Sequence, residues 1–171
     1  YKNLKKIVIL SRDELKQSEF SKNNKSKLLR FFLGDVRDKD RLKMAFKDID
    51  IVVHAAALKQ VPTAEYNPFE FVKTNILGTQ NVVAACKKHG IKHLVYTSSP
   101  SVVFDGFDIT GDGEDLGYAK KHWSHYPVTK KLAEKLVLNS NSDILVTSAL
   151  RPHLIWGPRD PHFVPRLVER A

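Results

Sequence analysis

Apolar residues cluster along the chain in short β-branched runs: Ile7–Leu10, Leu28–Leu33, Ile49–His54, His93–Ser98 and Ile144–Leu150. Runs of this length that stay apolar instead of alternating predict strands covered on both faces, as in a parallel sheet. Between several of them the apolar spacing changes to a helical period. Ser11-Arg12-Asp13-Glu14 reads as a capping box, with Ser11 at the N-cap and Glu14 at N3, and predicts a helix toward Phe20. Asp38 suits the cap of a short helix ending near Phe46. Asn67 precedes Pro68, which fits the first position of a long helix ending near Gly90. Its Phe71, Val72, Ile76, Val82, Val83 and Cys86 fall mostly on one stripe, as expected of a helix lying on a sheet. A further helix is predicted from about Ser124 to Asn139, and another over Pro165–Ala171, with turns at Gly34, Gly90 and Gly157.

Strand and helix in alternation predict an α/β fold: a Rossmann-like, doubly wound parallel sheet with helices on both faces and right-handed crossovers. The length of 171 residues corresponds to one domain. Residues 58–67 and 100–123 have no clear period, and both follow the carboxyl end of a strand. Ligands of open α/β sheets bind at that end.

Composition narrows the picture. Hydrophobic residues make up 42% and charged residues 27%, ordinary values for a globular domain. No apolar run reaches the roughly 18 residues needed to span a bilayer, and no leader pattern opens the chain. Cys86 is the sole cysteine, which rules out an intrachain disulfide and makes the cytoplasm the default compartment. A net charge of +9 raises the question of nucleic acid. The lysines, however, are scattered over helix faces and turns without interleaved aromatics, and no nucleic-acid motif accompanies them. No nucleic-acid partner is expected; the field suits a small anionic ligand.

Tyr126 and Lys130 carry the candidate chemistry. Four residues apart on a helix, they share a face. A free tyrosine titrates near 10; an ammonium held close favours the phenolate, and the phenol can then take a proton from a substrate hydroxyl. Tyr1 and Lys5 have the same spacing, so spacing alone does not single out the pair. Context does: a strand ends at Val95-Tyr96-Thr97-Ser98-Ser99, and a hydroxyl there could bond the reacting oxygen. Ser99 is the first choice and Ser98 the reserve. Asp35-Val36, after a strand and Gly34, could meet an adenine amino group through the aspartate, or simply cap a helix. His54-Ala55-Ala56-Ala57 closes another strand, where small residues admit a cofactor close to the backbone. No second ligand stands at metal spacing from His54, so no metal is expected. Ser11-Arg12 falls where a dinucleotide fold contacts the adenosine ribose; a serine and an arginine there suit a 2′-phosphate, which favours NADP over NAD.

Together these residues resemble the extended short-chain dehydrogenase/reductase superfamily, the NAD(P)-dependent epimerase/dehydratase group. The resemblance covers essentially the whole chain and has two parts. Residues 1–92 are similar to the inverting UDP-N-acetylglucosamine 4,6-dehydratases of polysaccharide biosynthesis, through Gly34-Asp35-Val36-Arg37-Asp38, His54-Ala55-Ala56-Ala57-Leu58-Lys59-Gln60-Val61-Pro62 and Lys73-Thr74-Asn75-Ile76. Residues from 94 onward are similar to the 3β-hydroxysteroid dehydrogenase/isomerase branch, through Thr97-Ser98-Ser99-Pro100-Ser101-Val102-Val103-Phe104, His125-Tyr126-Pro127-Val128-Thr129-Lys130 and Arg151-Pro152-His153-Leu154-Ile155-Trp156-Gly157-Pro158. The resemblance implies that Lys59 and Asn75 contact the nicotinamide-side ribose and nearby backbone. It places Thr97 by the nicotinamide, Pro152 and His153 near its carboxamide, and Lys130 on the ribose hydroxyls as well. The 4,6-dehydratases carry Ser-Thr-Asp-Lys-Ala after the fifth strand, where this chain has Thr97-Ser98-Ser99-Pro100-Ser101. Hydride transfer by Ser99, Tyr126 and Lys130 is therefore expected, without the full elimination.

The expected enzyme is an NAD(P)-dependent oxidoreductase of epimerase/dehydratase type acting on a secondary alcohol carbon of a nucleotide sugar. A 3β-hydroxysteroid or sterol is the alternative substrate, and a non-catalytic NADP-sensing scaffold a further one; a homo-oligomer is compatible with either. No G-x-G-x-x-G or G-x-x-G-x-x-G occurs. The first strand and Gly-rich turn are expected to be missing from this stretch, which is read as one Rossmann domain truncated at both ends and inactive alone.

Overall fold

The computed structural model describes residues 4–110, 113–153, 155–157 and 163–170. They form five strands, all parallel where they pair: β1 (Ile7–Ser11), β2 (Leu29–Leu33), β3 (Ile51–His54), β4 (His93–Thr97) and β5 (Val146–Leu150). The helices are α1 (Glu14–Asn23), α2 (Lys39–Ala45), α3 (Val61–Tyr66), α4 (Pro68–Phe71), α5 (Gly78–Lys88), α6 (His125–Leu138) and α7 (Phe163–Arg170). A π-helical stretch, Val72–Leu77, joins α4 to α5, and Pro100–Val102 forms a 3₁₀ turn after β4.

The predicted alternation is present, with three local corrections. Ser11 is not the cap of α1. It still pairs with Leu33 as the last residue of β1, and the chain turns two residues later. Asp13 is the cap, accepting from Lys16 N at 3.0 Å, while Ser11 Oγ accepts from Asp13 N at 3.1 Å. Residues 58–67 are not a bare loop but contain α3, whose proline lies in the first turn, where a missing N–H costs nothing. Asn67 gives α4 no side-chain cap; its amide donates back to Thr63 O at 3.3 Å. Asp38 does cap α2, accepting from Asp40 N and Arg41 N at 3.0 Å each.

Two sheets result, β1-β2 and β3-β4-β5. In the second, register places Val52, His54, Leu94 and Tyr96 on one face, and all of them are buried. α5 and α6 lie against these strands, and the core joins Leu42, Val82, Cys86, Ile91, Leu94, Tyr96, Ala133, Val137 and Leu145. On the opposite face Ile51, Val53, Val146 and Leu150 are exposed. Among the described residues β1 and β3 each pair on one edge only. Between them lies a cleft of about 1190 Å³, lined by Val8, Leu10, Phe46, Val52 and Val82 and continuing to the strand ends at Ser11 and His54.

Candidate active site

The residues singled out in the sequence gather at the carboxyl ends of the strands in two groups. Ser11, Arg12, Asp35, Val36, His54, Ala55, Ala56 and Ala57 line the cleft between β1 and β3. The Asp35 carboxylate is held by Arg37 in a two-pronged bond, at 3.1 and 2.9 Å, and lies 3.7 Å from Arg12. Partial burial would raise its pKa, but these cations outweigh burial and hold it below the usual carboxylate range. Arg12 is half exposed and loosely tied. Val36 is a core residue, with Gly78 packed on it so closely that a Cβ there would stand 2.7 Å from Val36 Cγ2. His54 turns its ring inward: Nε2 lies 2.9 Å from Thr79 Oγ1, and the ring is tilted on Tyr96. Burial, helped by Lys130, pushes its pKa down to about 3, so the ring is neutral and offers the cleft only its backbone.

The second group is spread over α6, the ends of β4 and β5 and the segments near them, with Lys130 on α6. The Lys130 side chain is buried, with Nζ donating to Thr97 O at 2.7 Å and standing 4.2 Å from the Tyr96 ring centroid. Burial pushes its pKa down to about 8, against the opposing pull of Glu134. Tyr126 is half-buried one turn earlier. Ser99 is half-exposed, with Oγ 2.8 Å from Ser101 Oγ, whereas Ser98 is buried. Of the two, Ser99 is the hydroxyl open to a ligand. Lys59 is exposed. Asn75 is buried and fully engaged: it accepts from Leu58 N at 2.8 Å and donates to Leu58 O and Thr129 Oγ1 at 3.0 and 3.1 Å. It thus ties the segment bearing Lys59 to α6. Pro152 is half-exposed and His153 exposed just after β5.

Three further residues were not picked out from sequence. Thr74 lines the cleft, and its buried hydroxyl has no partner among the described residues. Glu134 is fully buried and accepts from Arg151 Nη2 at 2.6 Å and Tyr118 Oη at 2.9 Å. Burial would raise its pKa, but the bonds from Arg151 and Tyr118 prevail and hold it low. Tyr96 is buried, its hydroxyl has no partner among the described residues, and burial raises its pKa. Glu134 had one legible signal, its place four residues after Lys130 and eight after Tyr126 on one helix. Small residues at Ala55–Ala57, an orphaned Thr74 hydroxyl and a half-exposed cation at Arg12 fit an anionic dinucleotide at this strand end.

The model of the 3-beta hydroxysteroid dehydrogenase/isomerase family matches residues 1–171. The chain belongs to this family. Human sterol-4-alpha-carboxylate 3-dehydrogenase, decarboxylating, is 43% identical over 145 residues, 84% of this chain and 38% of that protein. The UDP-N-acetylglucosamine 4,6-dehydratase (inverting) of Campylobacter jejuni is 56% identical over 94 residues, 55% of this chain and 28% of that protein. Both kinds of relative named from the sequence are present, but the steroid dehydrogenase likeness runs over the whole chain and is not confined to the part from residue 94 onward. The crystal structure of Thermus thermophilus UDP-glucose 4-epimerase in complex with NAD superposes with a TM-score of 0.75 at 28% identity, covering 91% of this chain and 50% of that one. The chain thus spans about a third of the length of these two curated relatives. No helix among the described residues is long and apolar enough to cross a membrane.

Proposed function

We propose that the chain is the cofactor-binding and reacting part of an NAD(P)-dependent oxidoreductase acting at a secondary alcohol carbon. The observation that carries this reading is the buried Lys130 side chain, bonded to Thr97 O at the end of β4 and sharing a helix face with Tyr126, with the half-exposed Ser99 two residues beyond Thr97. Tyr126 takes the proton of the substrate hydroxyl, Ser99 bonds the same oxygen, and Lys130 reaches the ribose hydroxyls. The nicotinamide, when bound, accepts the hydride from the carbon and can return it. Thr97, Ser98, Pro152 and His153 border the nicotinamide end; Lys59 approaches the ribose from a segment that Asn75 fixes. Ala55, Ala56 and Ala57, with the backbone of His54, let the dinucleotide lie against the end of β3. Asp35 and Val36 flank the adenine. Ser11 and Arg12 face the adenosine ribose, and the loosely tied Arg12 supports NADP as the cofactor. The unpaired facing edges of β1 and β3 support a further parallel strand in the cleft between them, which would satisfy both edges.

A nucleotide sugar is supported by the 56% identity to the 4,6-dehydratase. An apolar secondary alcohol of the sterol class is supported by the family match and by the segment after Ser99, where Phe104, Phe107, Ile109 and Trp123 present exposed apolar side chains. The second is the better supported, because those side chains lie in the stretch of chain between Ser99 and Tyr126. The test is cofactor reduction by the full-length protein with 3β-hydroxysterols and UDP-sugars. Reduction with the sterols is expected, reduction with UDP-sugars alone would reverse the substrate assignment, and reduction with neither would overturn the oxidoreductase reading.

A further inference from the structure

Glu134 is a fully buried carboxylate within a helix, an expensive arrangement unless its oxygens are paired. They are paired from two other parts of the fold. Arg151, at the end of β5, donates through Nη2 at 2.6 Å and Nε at 3.2 Å; Tyr118, from the segment after Val102, donates at 2.9 Å. That segment is itself fastened twice, by Ala119 N to Val102 O at 3.0 Å and by Lys131 Nζ to Ala119 O at 3.4 Å. The carboxylate therefore joins α6, the strand end leading into Pro152 and His153, and the segment following Ser99. Its own helix presents Lys130 one turn earlier and Tyr126 two turns earlier.

We propose that Glu134 is a positioning residue for hydride transfer, whose buried charge fastens the Tyr126–Lys130 helix to both flanking segments and holds Lys130 as an ammonium at the end of β4. This rests on the reading of Tyr126 and Lys130 as the reacting pair. The groups facing Lys130 are the Tyr96 ring and Thr97 carbonyl from β4, the neutral His54 from β3, and Glu134 from α6. Among these, Glu134 supplies the negative charge. An apolar residue at 134 could fill the space but could not favour the ammonium.

The test uses the full-length protein with ¹³C-labelled lysine, following the Lys130 side chain by NMR, its signal assigned by loss in Lys130→Arg. The wild-type signal is expected to titrate near 8. In Glu134→Gln the midpoint is expected to fall by about one unit, and the pH dependence of kcat to move with it. Glu134→Gln combined with Arg151→Met removes both charges and avoids an unpaired guanidinium; a smaller fall in the same direction is expected there, because the repulsion from the Arg151 guanidinium goes too, and this covers the case in which the single variant fails to fold. A folded variant with an unchanged Lys130 midpoint and an unchanged pH profile would reduce Glu134 to a structural part and overturn the proposal. Absence of hydride transfer in the wild type would overturn the parent reading instead, and the NMR midpoint separates that failure from this one.

Discussion

Lys130 and His54 lie in one buried polar layer beneath the strand ends, and burial acts on both in the same direction. Each is driven toward its neutral form, His54 completely and Lys130 only partly, because a carboxylate one turn away opposes the shift. The two shifts leave different marks on stability. His54 titrates near 3 when folded against 6.5 in a free chain, so below pH 6.5 the unfolded chain binds the extra proton. Stability should therefore be lost as the pH is lowered from 6.5 toward 3, by up to about 1.4 kcal/mol per unit, and denaturant titrations of His54→Asn should lose that part of the slope. For Lys130 the folded value near 8 lies below the ordinary 10.5, so the unfolded chain again binds more protons between those values. Stability should rise with pH across that window, and the rise should be absent in Lys130→Met. At this scale the sequence disclosed residue types with obvious chemistry, Tyr126, Lys130 and Ser99. It hid Glu134 and Thr74, whose significance lies in who surrounds them. It also misplaced a cap: Ser11 and Asp13 are both good capping residues, and only the pairing of Ser11 with Leu33 decides between them.

The element that does most to shape the site is the interrupted helix from Pro68 to Lys88. Its π-helical stretch holds Thr74 and Asn75, both buried, with Asn75 bonded to α6 and to the segment after β3. Insertions of this kind are frequent at functional sites, where they re-aim side chains. Apolar spacing disclosed the helix and its sheet-facing stripe, but not the change of winding, which leaves no periodic signature over six residues. Likewise α3 was hidden because its proline reads as a breaker when its position in the first turn is unknown. Gly78 begins α5, where alanine would ordinarily favour the helix by about 1 kcal/mol. Here the added Cβ would stand 2.7 Å from Val36 Cγ2. Gly78→Ala should therefore destabilise, by about 1–3 kcal/mol, with the loss read as a lowered Tm; a raised Tm would show that Val36 gives way freely.

Across the whole molecule the alternation of strand and helix was legible, and with it the parallel pairing and the gathering of the candidate residues at one end of the strands. The continuous apolar strands were read as covered on both faces. In the β3-β4-β5 sheet burial instead alternates with a period of two, and Ile51, Val53, Val146 and Leu150 lie open. The cleft between β1 and β3 is the corresponding gap in the plane of the strands. Protection against hydrogen exchange should follow this layout. β4, paired on both edges, should exchange most slowly, and β1 and β3, each paired on one edge, should exchange faster; equal protection of β3 and β4 would mean that the cleft edge is occupied. For the same reason the 171-residue chain alone is expected to show no turnover with any substrate that the full-length protein accepts.

The central claim is that Tyr126 moves the proton while hydride moves at the neighbouring carbon. Single-turnover hydride transfer in the full-length protein, compared between wild type and Tyr126→Phe, addresses it most directly. A fall of about 10²–10⁴-fold in the transfer rate, with cofactor binding unchanged, is the predicted result; an undiminished rate in the phenylalanine variant would contradict it.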